Sequence, residues 1–219
     1  MDKLNLADRG IQAALFDLDG VLLDSLHVWD KVALDFLHEK GAAFTGEIAD
    51  DIRDMSFMQS AEYFVGRLNL EETPQTLIDG WNARAYAAYA NEVKLMPGAA
   101  AYVQQLADNG VRLAVVTASD AVLAQAALER NGIAQVFETI VTEGGTGLDK
   151  SRPQIFLEAA RALSVPPAAC MVFEDSLYAV KSAKAAGMRV CAVYGPGGDA
   201  ETLCTLADYC IESLEELMV

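Results

Sequence analysis

The chain is short of positive charge. Its 219 residues carry 16 Lys and Arg against 32 Asp and Glu, a formal charge of −16. That balance excludes nonspecific binding to DNA, RNA or anionic membrane as its business, so neither a nucleic acid nor a membrane is an expected partner. It also sets a local condition: a site for an anionic substrate must bring its own cation, as a metal or a lysine. Histidine is nearly missing, at two residues, and no His or Cys set has the spacing of a zinc site. The four cysteines, Cys170, Cys191, Cys204 and Cys210, form no CxxC pair and read as buried thiols of a cytoplasmic chain. Long apolar runs are lacking too; stretches such as 113–116 are far too short to cross a bilayer. Residues 1–10 are polar and mixed in charge, without the basic start and apolar stretch of a signal peptide. There are no repeats and no low-complexity segments.

What is present is a core: 53% of the residues are hydrophobic, enough for one large domain or one domain carrying a smaller one. Short apolar runs at 12–18, 112–117, 138–142, 170–173 and 189–193 read as buried strands, with a last short one at 209–211. Helical patterns separate them at 98–109, 121–131, 153–163 and 177–186. The first has Pro97 at its start and Gly110 past its end, and the last is closed by Gly187. Strands alternating with helices predict an α/β fold, a Rossmann-like parallel sheet with helices on both faces. One stretch breaks the rhythm. From Ser25 to Leu95 there is no strand pattern, only amphipathic runs at 28–38, 57–68 and 76–91. About 70 residues is too long for an ordinary crossover, so this block is expected to be an inserted all-helical cap, residues 25–95, on a catalytic core of 1–24 and 96–219. Its hinges fall near Asp24 and at 94–97.

In an open parallel sheet, ligands bind beyond the carboxyl ends of the strands. The polar residues just past each strand are Asp17, Asp19 and Gly20; then Thr117 and Ser119; then Lys150, after a glycine-rich loop with Gly144, Gly145 and Gly147; then Glu174 and Asp175. All fall on one rim. Carboxylates converging there repel one another unless a cation joins them, and hard oxygen ligands suit a magnesium ion (Mg2+) completed by a substrate phosphate. Lys150 adds fixed positive charge and Thr117 a hydroxyl, both suited to a phosphoryl group in transfer. An aspartate can attack phosphorus, and a second carboxylate two residues on can carry the proton. Taken alone, an Asp-x-Asp after a strand is more often a turn or a helix cap; the ordered set with Lys150 and Glu174-Asp175 is what favours chemistry.

The run from Phe16 to Ser25 (Phe-Asp-Leu-Asp-Gly-Val-Leu-Leu-Asp-Ser) resembles the first motif of the haloacid dehalogenase superfamily, in its branch of small-molecule phosphatases and phosphomutases with a helical cap. Val116-Thr117-Ala118-Ser119 is similar to the second motif, Lys150 with Pro153 to the third, and Val172-Phe173-Glu174-Asp175-Ser176 with Ala179, Ala183 and Gly187 to the fourth. The resemblance implies Asp17 as nucleophile and metal ligand, and Asp19 as acid and base whose carbonyl also reaches the metal. It implies Asp175 as a metal ligand with Glu174 beside it, and Thr117, Ala118, Ser119 and Lys150 as the phosphate cradle. Ser151-Arg152 intervene before Pro153, where the branch often has Lys-Pro directly. Compared with β-phosphoglucomutase, a relative in this branch, Phe57 falls where a cap arginine grips the distal phosphate. Asp120-Ala121 replace a Lys-Asn pair, and Trp29 takes the place of a cap-side histidine.

The expected function is therefore a magnesium-dependent phosphatase, acting as a monomer on a small phosphorylated metabolite, a sugar phosphate among the candidates. A phosphomutase is the alternative. A phospho-Asp receiver module would lack the cap and the second Asp, and a dehalogenase attacking carbon would not need Asp19. A binding protein without catalysis fits least, since no member of the constellation is missing. His27 and Trp29 near the hinge read as partly exposed helix residues or substrate contacts. Arg53, Arg84, Lys181 and Lys184 read as solvated helix positions, and Trp81, Tyr86 and Tyr89 as cap packing.

Overall fold

A computed structural model describes residues 6, 10–52, 55–195 and 200–218; Arg53 and most of the 1–10 stretch lie outside them. Six parallel strands form the sheet: β1 (Ala13–Phe16), β4 (Arg112–Thr117), β5 (Thr139–Thr142), β6 (Cys170–Glu174), β7 (Arg189–Val193) and β8 (Tyr209–Ile211), in the order β5-β4-β1-β6-β7-β8. Every residue of β1 and β6 is buried, as sequences without inside–outside alternation require of strands covered on both faces. Alternate side chains feed two cores. Ala14 and Phe16 join one with Val115 and Phe173, whereas Ala13 and Leu15 join the other with Val116 and Val172. In the first, the Phe16 ring stacks on Phe173 at 4.4 Å and meets Tyr102 edge-on at 6.4 Å. Helices α5 (Ala99–Asp108) and α6 (Ala121–Arg130) cover that face, and α8 (Pro153–Ala162) and α9 (Leu177–Ala185) the opposite one.

Between β1 and β4 the chain makes its helical excursion. It leaves through β2 (Leu23–Asp24), runs through α1 (Leu26–Glu39), α2 (Gly46–Ile52), α3 (Phe57–Leu68) and α4 (Pro74–Asn91), and returns through β3 (Lys94–Leu95). The expected absence of strand is corrected at its end: Lys94 and Leu95 pair antiparallel with Asp24 and Leu23. Helix α3 is set by a capping box, Ser56 with Gln59, and α4 by the Thr73 cap with Pro74 in its first turn, both strong start signals. An aromatic spine of Phe36, Phe64, Trp81, Phe57 and Trp29 holds the cap together, with ring centroids 5.1–6.0 Å apart.

Two further expectations change. The glycine-rich stretch is not an open loop but begins with a short helix, α7 (Glu143–Thr146), capped by Thr142 and ended by Gly147 at φ 68°. Cys204 of α10 (Ala200–Leu206) and Cys210 of β8 are joined in a disulfide; only Cys170 and Cys191 are buried thiols. The reading as four thiols rested on apolar surroundings, but the helix-to-strand return brings these two Cα atoms to 5.2 Å, within bridging distance. Among the described residues no helix is long and apolar enough to cross a membrane.

Candidate active site

Strand β1 lies between β4 and β6, so the chain crosses over in opposite directions on its two sides. A crevice opens at the carboxyl end of such a strand, and Asp17 is the first residue there. Its N–H still donates to Phe173 of β6, at 2.9 Å. Beyond it the chain turns tightly, with the N–H groups of Leu22 and Leu23 both donating to the Leu18 carbonyl at 3.0 and 2.8 Å. Gly20 makes the turn at φ 80°, and a Cβ placed there would lie 2.2 Å from Asp175 Oδ2. The glycine is thus required twice, by its backbone conformation and by the close approach of the Asp175 carboxylate.

Lys150 arrives from the loop after β5 and is 2% exposed. Its Nζ lies 2.7 Å from Asp17 Oδ1 and 2.7 Å from Glu174 Oε2. Two side chains fix this loop. Glu143 Oε1 accepts the Lys150 N–H at 2.8 Å, and Asp149 Oδ2 accepts the hydroxyl of Ser56, a buried cap residue, at 2.6 Å. Glu174 is committed on both sides, since its Oε1 also accepts from the N–H groups of Asp175 and Ser176 (each 3.1 Å) and from Ser176 Oγ (2.8 Å).

Burial, reinforced by the Glu174 charge, pushes both Asp17 and Asp175 well above the usual carboxylate range, against the pull of Lys150. Burial alone would lower Lys150, but Asp17 and Glu174 outweigh it and hold the ammonium protonated. Burial also raises Glu143, to about 7. Three carboxylates thus face a single lysine. Asp17, Glu174 and Asp175 each offer an oxygen within 4.8 Å of the others. This excess of negative charge on hard oxygen donors is what a divalent cation would offset, and the donor set fits one.

Asp19, two residues on, belongs to a different network. Its Oδ1 accepts from Ser25 Oγ at 2.6 Å and from the Tyr89 hydroxyl, and its Oδ2 accepts from Ser119 Oγ at 2.7 Å. Trp29 Nε1 donates to that same Tyr89 oxygen at 2.8 Å. Ser119, expected in a phosphate cradle, is therefore placed on Asp19. Thr117 Oγ1 accepts the Ser119 N–H at 3.0 Å, and Asp120 caps α6 through the Val122 N–H. Tyr89 was legible only as cap packing; no local pattern marks a hydroxyl whose partner is 70 residues away.

These groups line a cavity of about 250 Å³ whose floor is Asp17, Asp19, Thr117, Ala118, Lys150 and Asp175. Its cap-side wall is Leu26, Trp29 and Phe57, and Tyr178 closes it from α9. Phe57 and Ala118 are shared with an outer cleft of about 460 Å³ lined by Glu62, Asp79, Asp120, Glu143, Asp149 and Arg152, among others. The remaining candidates stand apart: His27 is exposed near Asp24, Arg84 pairs with Glu39, Lys184 pairs with Asp208 and Lys181 is exposed.

Comparison with known proteins gives a consistent result. Residues 11–187 match the family described as haloacid dehalogenase-like hydrolase. Hexitol phosphatase B of Escherichia coli is 28% identical over 211 residues, covering 95% of each chain. The crystal structure of CbbY from Rhodobacter sphaeroides with phosphate superposes with a TM-score of 0.83 at 24% identity, over 94% of this chain and 96% of that one. A β-phosphoglucomutase structure from Clostridium difficile gives 0.78 at 24% identity, over 95% and 93%.

Proposed function

Because the chain belongs to the haloacid dehalogenase-like hydrolases, we propose that it is a magnesium-dependent phosphatase that hydrolyses a small sugar or polyol phosphate through an aspartyl-phosphate on Asp17. The observation that carries this reading is the buried Lys150 ammonium, 2.7 Å from both Asp17 and Glu174. It offsets part of the repulsion that the carboxylate nucleophile would meet from a phosphate, and a divalent cation on Asp17 and Asp175 would supply the rest. Segments 1–24 and 96–219 form the catalytic unit, and 25–95 the cap that closes over it.

Asp17 and Asp175, steadied by Glu174, would hold magnesium, with the Asp19 carbonyl beside them; the ion supplies charge neutralisation and Lewis acidity toward the phosphoryl oxygens. An Asp17 carboxylate oxygen bonds to phosphorus, and the ester P–O bond breaks with its electrons going to the leaving oxygen, which takes a proton from Asp19. A water then attacks phosphorus, gives its proton to Asp19, and the bond to Asp17 breaks to release phosphate. Lys150, the Thr117 hydroxyl and the Ala118 amide steady the phosphoryl group.

Hydrolysis is favoured over mutase chemistry by what lines the two cavities. A mutase must grip a second phosphate, yet the inner wall is Leu26, Trp29 and Phe57. In the outer cleft Arg152 stands among Glu62, Asp79, Asp120, Glu143 and Asp149. The name of the full-length relative, hexitol phosphatase, supports an uncharged polyol as the leaving group.

The test is phosphate release from a panel of sugar and polyol phosphates, with and without magnesium, with and without a bisphosphate activator. Release that needs magnesium and gains nothing from the bisphosphate is expected; release only with the bisphosphate would establish a mutase instead. Gly20→Ala should raise the magnesium concentration for half-maximal turnover at least about tenfold, because the new methyl displaces Asp175. It should also lower stability by roughly 1–2 kcal/mol, from the positive φ. Magnesium titration of activity and a denaturant melt check the two effects, and an unchanged magnesium requirement would refute the role given to Asp175.

A further inference from the structure

The carboxylate proposed as proton carrier is oriented by a residue of the cap. We infer that Tyr89, carried by helix α4, is a positioning residue that fixes Asp19 for protonation of the leaving group; the inference rests on the phosphatase reading above.

Three features carry it. First, the Tyr89 side chain is fully buried, yet its hydroxyl is not spent on its own helix. It crosses from cap to core and donates to Asp19 Oδ1. Second, the direction of that bond is determined. Indole Nε1 is a donor only, so Trp29, 2.8 Å away, fills an acceptor position on the phenol oxygen and leaves the single phenolic proton for Asp19. Third, Asp19 is fixed at both oxygens, because Ser119 Oγ holds Oδ2 from the core side. Of the three hydroxyls on this carboxylate, Ser25 and Ser119 flank the crevice in the core and hinge, while Tyr89 alone rides on the cap's last helix. Asp19 therefore has its complete set of partners only when α4 is seated. Proton transfer depends steeply on the donor's placement, so seating of the cap sets the orientation of the acid.

A residue that merely packs would, when altered, harm all substrates alike. One that orients an acid matters only where the leaving group needs a proton. The experiment compares Tyr89→Phe with wild type on two esters, a hexitol phosphate, whose alkoxide leaves only if protonated, and nitrophenyl phosphate, whose phenolate leaves unaided. The readout is the ratio of their kcat/KM values. Because both substrates report the same active fraction of enzyme, partial unfolding cancels. The hexitol phosphate value should fall about tenfold or more, a fraction of what general acid catalysis contributes, and the nitrophenyl value should stay within about twofold. Trp29→Phe, which leaves Tyr89 in place without its indole donor, should shift the ratio in the same direction by a smaller factor. Equal losses on both esters, or no loss on either, would overturn the role of Tyr89. The alkyl ester is the best hexitol or sugar phosphate of the panel above; no turnover of any panel member or of nitrophenyl phosphate by wild type would overturn the phosphatase reading itself, and the inference with it.

Discussion

The Asp17→Asn protein is expected to fold, to melt no lower than wild type, and to turn over at least ~10⁴-fold more slowly, as removal of a covalent nucleophile does elsewhere. The carboxamide has the size of the carboxylate and keeps an oxygen to accept from Lys150, 2.7 Å away in the native site, but it is not a nucleophile. Stability should not fall, because the substitution relieves a repulsion. Asp17, Glu174 and Asp175 crowd about one lysine, and burial with the Glu174 charge disfavours the ionised form of Asp17. Phosphate release and a thermal melt on the same preparation check both halves. Near-normal turnover would rule out Asp17 as the nucleophile, and a large drop in melting temperature would mean that the charge, not the shape, holds the site together.

Lys150→Met is expected to be equally inactive and, in contrast, strongly destabilised. Methionine fills much of the same volume, so packing loss is small. The loss is electrostatic: Asp17 and Glu174 are buried, and the ammonium between them is their shared partner. Stranding buried charge in this way costs about 3–5 kcal/mol. Adding Glu174→Gln to Lys150→Met should restore a good part of that stability without restoring activity, since the double variant still lacks the cation proposed to steady the phosphoryl group. Denaturant unfolding of the three proteins, alongside phosphate release, reads the difference. If Lys150→Met melts like wild type, the buried triad is not the electrostatic unit described above.

Much of this site was legible because strands buried on both faces leave continuous apolar runs. The polar residues that follow them then stand out as a rim: Asp17, Thr117, Lys150 and Glu174 were found this way, and β4, β7 and β8 have the expected bounds. What was not legible has physical reasons. Two residues of ladder at Lys94–Leu95 are too few to show a period. Gly144 and Gly145 argue for a loop, yet the Thr142 cap on the Gly145 N–H suffices to start a helical turn. Cys204 and Cys210, six apart, meet only because a helix and a strand fold back on each other. Tyr89 sits in a helix whose other aromatics, such as Trp81, do pack the cap, and sequence cannot say which ring aims its hydroxyl at the core.

The narrow gate formed by β2 and β3 has a consequence for how such a protein diversifies. The chain departs at Leu23–Asp24 and comes back at Lys94–Leu95 on a paired strand, so the two ends of the excursion stand about 5 Å apart, the spacing of neighbouring strands. To the sheet, seventy residues of helix are interchangeable with a hairpin turn. The sheet therefore fixes only where the excursion begins and ends, and leaves its length and sequence free to vary without moving the rim. On the reading proposed above, a replacement that returns no hydroxyl in place of Tyr89 leaves Asp19 with Ser25 and Ser119 alone, and cleavage of esters with poor leaving groups slows.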